Sequence, residues 1–252
     1  MLTRSPQFLI ATALLAALFF SPSQSYAVVY ELRTYTANEG RLPELLARFR
    51  DHTVRLFKKY GMESVGYWVP TEKPQSATTL IYILKHESRE ASRESFRAFG
   101  ADPEWRKAYK DSRANGSLLA KLPDSVFMKA TEYTPDFTNG KNNDDAVFEL
   151  RIYKTNAGKL PNLDVRFSDN TIRIFAKHGM QSVAYWHSTD ETDTLIYILK
   201  HKSSEDAKVS WSAFRTDEEW ERVSKESQLD GTILKERPAS TYMKATDFSE
   251  IK

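Results

Sequence analysis

The chain carries the same segment twice. Residues 29–68 read VYELRTYTANEGRLPELLARFRDHTVRLFKKYGMESVGYW, and residues 147–186 read VFELRIYKTNAGKLPNLDVRFSDNTIRIFAKHGMQSVAYW, with 23 of 40 positions identical. The octapeptide TLIYILKH stands unchanged at 79–86 and 194–201, and Phe127-Met128-Lys129-Ala130-Thr131 returns as Tyr242-Met243-Lys244-Ala245-Thr246. The offset is 118 before the second strand's loop and 115 after it, so the first copy has a loop three residues longer around Pro70–Thr78. That period is too long for a solenoid repeat and has the size of a small domain. Two domains are expected, 28–133 and 147–252. The linker between them, 134–146, is polar and contains Pro135 and Gly140, as exposed connections do.

Within each copy the pattern predicts the order β-α-β-β-α-β. Val28–Thr36 is β-rich. From about Gly40 to Tyr60, Leu42, Leu45, Leu46, Phe49, Thr53, Leu56, Phe57 and Tyr60 repeat at helical spacing, and Gly61 stops the helix. Strands follow at Glu63–Val69 and Thr79–His86. Ser88 is a plausible N-cap for a second helical region, which breaks near Gly100 and restarts at Asp102-Pro103; the second copy restarts at a capping box from Thr216. A last strand covers roughly Ser125–Tyr133. This is the ferredoxin-like unit, a four-stranded antiparallel sheet with helices on one face. Its open face needs a cover. The expected fold is therefore α+β, two tandem ferredoxin-like domains packed sheet to sheet as a pseudo-dimeric α/β barrel.

Composition excludes several kinds of chemistry. The chain has no cysteine, which removes disulfides, thiolate catalysis, Cys-ligated zinc and iron–sulfur clusters. With 36 basic against 34 acidic residues and no long basic run, nucleic acid is a poor partner. Standard nucleotide and serine-hydrolase motifs are absent, neither HExxH nor His-x-His occurs, and no cofactor or metal is implied. Met1–Ala27 has Arg4, an apolar stretch from Phe8 to Phe20 and a small-x-small end at Ser25-Tyr26-Ala27, the layout of an export signal cleaved after Ala27. A periplasmic or secreted protein is expected. An uncleaved leader would be the one route to a membrane.

Strand alternation places Glu31, Arg33 and Tyr35 on one face and Tyr30, Leu32 and Thr34 on the other. Leu32 is expected to meet the helices, so Glu31, Arg33 and Tyr35, with Glu149, Arg151 and Tyr153, are expected to face the barrel interior. There the guanidinium would bind an anionic group and Glu or Tyr would handle a proton. The alternative is a structural Glu–Arg pair that holds sheet register. His86 and His201 share a face with Tyr82 and Tyr197 and offer a neutral imidazole as base or ligand. Trp68 and Trp186 close the second strands, as core or as the wall of a pocket for a flat ligand.

Together these residues resemble a known pattern. Glu31-Leu32-Arg33-Thr34-Tyr35, Lys59-Tyr60-Gly61-Met62, Tyr67-Trp68, Leu80-Ile81-Tyr82-Ile83-Leu84 and Phe96…Phe99…Asp102-Pro103-Glu104-Trp105 are similar to NIPSNAP-domain proteins, and so are their counterparts in the second copy. The resemblance spans nearly all of the chain beyond residue 27. It implies a dimeric α/β-barrel fold but no generally established catalytic activity. Eukaryotic members are mainly mitochondrial; the export-type leader sets this chain apart from them. Three functions stand open: a small anionic or aromatic ligand bound in a barrel pocket, a cofactor-independent monooxygenase or isomerase, and an interaction scaffold with a filled barrel. A homodimer is compatible with each.

Overall fold

The computed structural model describes residues 27–136 and 146–252. The expected leader, apart from Ala27, and most of the expected linker lie outside the described residues. The first copy forms β1 (Val29–Thr36), α1 (Leu42–Arg48), α2 (Val54–Lys59), β2 (Glu63–Pro70), β3 (Thr79–His86), α3 (Arg89–Ala101), α4 (Pro103–Asp111) and β4 (Asp124–Ala130). The second forms β5 (Val147–Lys154), α5 (Leu160–Arg166), α6 (Ile172–Lys177), β6 (Gln181–Ser188), β7 (Thr194–His201), α7 (Ser204–Arg215), α8 (Glu218–Glu226) and β8 (Ala239–Ala245).

The first helix of each copy is not continuous. A π-helical turn, Phe49–Thr53 or Phe167–Thr171, separates its halves. Thr53 Oγ1 donates to the Arg48 carbonyl at 3.1 Å and Thr171 Oγ1 to that of Arg166 at 2.9 Å, so a hydroxyl serves a carbonyl where the wider turn disturbs the regular ladder. Gly61 and Gly179 end these helices at φ 75° and 76°, in the left-handed region that a side chain would disfavour. Ser88 caps α3 by accepting from Ala91 N, and Asp102 caps α4 by accepting from Glu104 N and Trp105 N. In the second copy the cap of α8 is Asp217, not the Thr216 of the expected capping box, because the carboxylate reaches Glu219 N and Trp220 N.

The strands form one closed barrel in the order β1-β3-β2-β8-β5-β7-β6-β4. Each copy contributes a ferredoxin-like sheet, and the sheets join at both edges. Trp68 pairs with Ala245 on one side, and Met128 with Ser188 on the other. Closure leaves neither sheet an open edge. The segment after each last strand then crosses to the other copy: Thr246 N donates to the Tyr67 carbonyl, and Thr131 N to that of Tyr185.

Three apolar clusters fill this frame. One draws on both copies and lies inside the barrel: Tyr30, Leu32, Trp68, Ile81, Ile83 and Met128 meet Phe148, Leu150, Trp186, Ile196, Ile198 and Met243. The other two lie between sheet and helices, one per copy; the first joins Leu45, Phe49, Leu56 and Phe57 to Tyr67, Leu80, Tyr82 and Leu84. Each such fully buried side chain contributes roughly 1.5–3 kcal/mol.

This arrangement corrects the expected orientation. Leu32 points into the barrel, and Glu31, Arg33 and Tyr35 lie beneath the helices, as do Glu149, Arg151 and Tyr153. The barrel is occupied by apolar side chains rather than by a polar pocket. The helices find their apolar contacts on β2 and β3, so β1 is free to turn its polar side toward them.

Candidate functional site

Each copy buries a polar cluster between its sheet and its second helical region. Alternation brings Glu31, Arg33 and Tyr35 to one face of β1. Antiparallel pairing sets Arg33 opposite Tyr82 and Glu31 opposite Phe127, beside Ser125 and two residues from His86 in register. Glu31 accepts from Arg33 Nη1 and from Ser125 Oγ at 2.6 Å, and its second oxygen lies 3.2 Å from His86 Nε2. Arg33 Nε donates to Tyr82 Oη at 2.9 Å, and its guanidinium lies 4.8 Å from the centroid of Phe96 on α3.

The second copy repeats the cluster with one further donor. Glu149 accepts from Arg151 Nη1 at 2.5 Å, Ser240 Oγ at 2.6 Å and Trp211 Nε1 at 2.7 Å, with His201 Nε2 at 3.1 Å. Trp211 stands where the first copy has Phe96. The Arg151 guanidinium turns differently from Arg33: Nη2 donates to Tyr153 Oη at 3.2 Å. Arg151 Nε and Tyr197 Oη, whose counterparts bond each other in the first copy, are buried without a partner, and Tyr153 lies beside Tyr197 outside hydrogen-bonding geometry.

Electrostatics fix the protonation of these groups. Burial pushes both carboxyls up, but hydrogen bonds from histidine, the charge of the neighbouring Arg and hydrogen bonds from serine outweigh it. Glu31 is held below the usual carboxylate range and Glu149 falls to about 2. Both are ionised at neutral pH. Burial, and then the neighbouring phenol, holds Tyr82 and Tyr197 well above the ordinary phenol range, so both hydroxyls remain donors. Because Glu149 is ionised, the facing Nε2 of His201 carries the proton. The Nδ1 of His201 is likewise buried without a partner, as is that of His86.

Of the twelve candidate residues, ten come together in these two clusters. Trp68 and Trp186 do not; they point to the opposite face and pack inside the barrel. His86 and His201, at strand ends, are buried and not solvent-exposed. Sequence reasoning missed Ser125 and Ser240, although both stand three residues before a repeated Met, and treated Trp211 as packing alone. It also missed a polar trio at the seam between the copies. Asp164 accepts from Tyr133 Oη at 2.6 Å and lies 2.8 Å from His187 Nε2. The equivalent positions at the other seam are Leu46 and Val69 of the first copy and Phe248 of the second, all in one apolar cluster.

A closed barrel of two ferredoxin-like halves, each with a buried carboxylate–guanidinium pair under its helices, is a dimeric α/β barrel realised within one chain. The NIPSNAP family model matches residues 30–135 and 148–250, and the chain belongs to that family. A Dictyostelium discoideum protein described as a NipSnap homolog is 25% identical over 181 residues, 71% of this chain and 71% of that protein. Among solved structures, a Fusobacterium nucleatum protein provisionally named a monooxygenase superposes with a TM-score of 0.61 at 11% identity, covering 90% of this chain and 96% of its own. An anthrone oxidase-like protein gives 0.54 at 10% identity, over 89% and 94%. At such identities the likeness is one of fold.

Proposed function

We propose that the second copy binds a small molecule bearing a carbonyl, carboxylate or enolate oxygen beneath α7, between Arg151 and Tyr197. One observation carries this reading. Arg151 Nε and Tyr197 Oη are both donors, both buried and both without a partner, while the matching pair in the first copy is closed on itself. A buried donor left unsatisfied costs about 1–3 kcal/mol, and one acceptor oxygen would satisfy both. The ligand thus sits under the helices and not in the barrel, and the first copy serves as its structural counterpart. Export by the leader belongs to the same proposal.

The site also supports an enzymatic reading as cofactor-independent monooxygenase or isomerase chemistry. Arg151 and Tyr197 would stabilise a developing oxyanion, and His201, oriented by Glu149, would take a proton at Nδ1. The names of the two fold neighbours favour this direction. The filled barrel favours the third reading, a scaffold. Native mass spectrometry of protein purified from the exported fraction, followed by titration with benzoate, separates them. A chain beginning at Val28, a retained small adduct and benzoate binding weakened at least tenfold by Tyr197→Phe support the site. A bare mass together with benzoate binding indifferent to Tyr197→Phe selects the scaffold, and a chain still carrying residues 1–27 refutes export as stated.

A further inference from the structure

A second buried guanidinium in each copy lacks any anion. Arg48 and Arg166 close the first helical segment, at the spacing of its apolar face, and each is 5% exposed. Among the described residues neither lies within ion-pair distance of a carboxylate. Arg166 donates one long hydrogen bond, 3.4 Å, to Ser227 Oγ, rests 5.4 Å from the centroid of Trp220, and leaves Nε without a partner. Burial lowers the affinity of both guanidiniums for their proton, yet an arginine keeps its charge at any ordinary pH. A charge held out of water calls for a counter-charge.

Each of these arginines lines a cleft between the first helical segment and the last helix of its copy. The two clefts differ in their walls. The first, about 360 Å³, sets Arg48 and Lys107 against four carboxylates: Glu44, Asp51, Glu104 and Asp111. The second, about 440 Å³, sets Arg166 and Arg222 against Glu226 alone, which Arg222 already pairs at 2.5 Å. Where the first cleft has Glu44 and His52, the second has Asn162 and Asn170, neutral amides that can donate. Of the four carboxylates, Asp51, Glu104 and Asp111 return as Asp169, Glu219 and Glu226, and Glu44 alone gives way to a neutral amide, so the second cleft keeps the buried cation with one carboxylate fewer.

We propose that the cleft between α5, its π turn and α8 is a binding site for a small, doubly charged oxyanion. Arg166 anchors it from the floor, Ser227 and the amides of Asn162 and Asn170 complete the donor set, and the Glu44 carboxylate, which stands where Asn162 does, disfavours the same ligand in the first cleft. This site is separate from the one under α7 and does not depend on it.

Calorimetric titration of the full chain with inorganic phosphate and with succinate, at fixed ionic strength in a chloride background, tests the proposal. One saturable site per chain is expected. Binding of phosphate alone, succinate alone or both supports the site and names the class of ligand. Asn162→Glu, which restores the acidic residue of the first copy at an exposed rim position, should weaken binding at least tenfold, and Arg166→Gln should abolish it. Should Arg166→Gln fail to fold, Asn162→Glu decides alone. Tyr197→Phe should leave this binding unchanged, which keeps the two sites distinguishable. The proposal is overturned by the absence of saturable binding to either anion, by two equivalent sites on the unaltered chain, by binding indifferent to Asn162→Glu, or by binding that Tyr197→Phe removes.

Discussion

Replacing Glu149 by Gln tests how much the buried cluster holds the second copy together. The side chain is fully buried and accepts from Ser240, Arg151 and Trp211, with His201 Nε2 also facing it. Gln keeps the shape but removes the charge that answers Arg151, and its amide aims a donor at donors. Breaking one side of a buried ion pair costs about 3–5 kcal/mol. The titration of the carboxyl offers a second measure. A group moved from 4.5 to about 2 on folding contributes roughly 3 kcal/mol at neutral pH. The sign follows from the direction: a carboxyl depressed in the folded state stabilises above its unfolded value and loses that contribution as pH falls from 4.5 toward 2. Urea unfolding of the two proteins across that range should show a gap of about 3 kcal/mol at pH 7 that closes in acid. The melting temperature should fall by about 6–12 °C at neutral pH. Glu31→Gln should lose less, since that site has no indole donor. A gap below about 1 kcal/mol at pH 7, or one that persists at pH 2, refutes this account of the cluster.

Gly66→Ala should destabilise by about 1–3 kcal/mol, because a Cβ there would stand 2.5 Å from the Trp68 ring inside a filled barrel; a melting temperature unchanged within a degree would show that the ring has room to move. Asp164→Leu alone should cost about 1–3 kcal/mol by stranding Tyr133 and His187, whereas the triple change Asp164→Leu, Tyr133→Phe and His187→Val, which installs the residues of the other seam, should recover most of the loss. Additive losses in a denaturation cycle would contradict that coupling. A chain ending at Asp136 would expose the edges of β2 and β4 that pair with β8 and β6, and sedimentation should find it as a homodimer; a stable monomer would show that barrel closure is dispensable.

The duplication and the two periodicities sufficed for much of the fold. They yielded the two copies, the order of elements, the helix caps at Ser88 and Asp102, and the strand TLIYILKH, because these rest on local spacing and local hydrogen bonds. Alternation also grouped the side chains that share a face: Glu31 with Arg33 and Tyr35, and Tyr82 with His86. The π turn escaped notice, since a helix with one wider turn keeps nearly the same apolar spacing.

What alternation could not decide was which side of the sheet these groups occupy. A strand covered by helices on one face and by a second sheet on the other is buried twice. In β3, Leu80, Tyr82 and Leu84 go to the helices while Ile81 and Ile83 go to the barrel, so hydrophobicity does not tell the faces apart. Nor could spacing show that Glu31 would meet His86 and Ser125, 55 and 94 residues away, or that Asp164, Tyr133 and His187 would meet across a seam. The chemical identities and their shared faces are local properties, written along the chain. The inward direction, the closure of each sheet on the other, and the meeting of Glu31 with His86 and Ser125 depend on contacts between distant segments, and only the closed barrel supplies them.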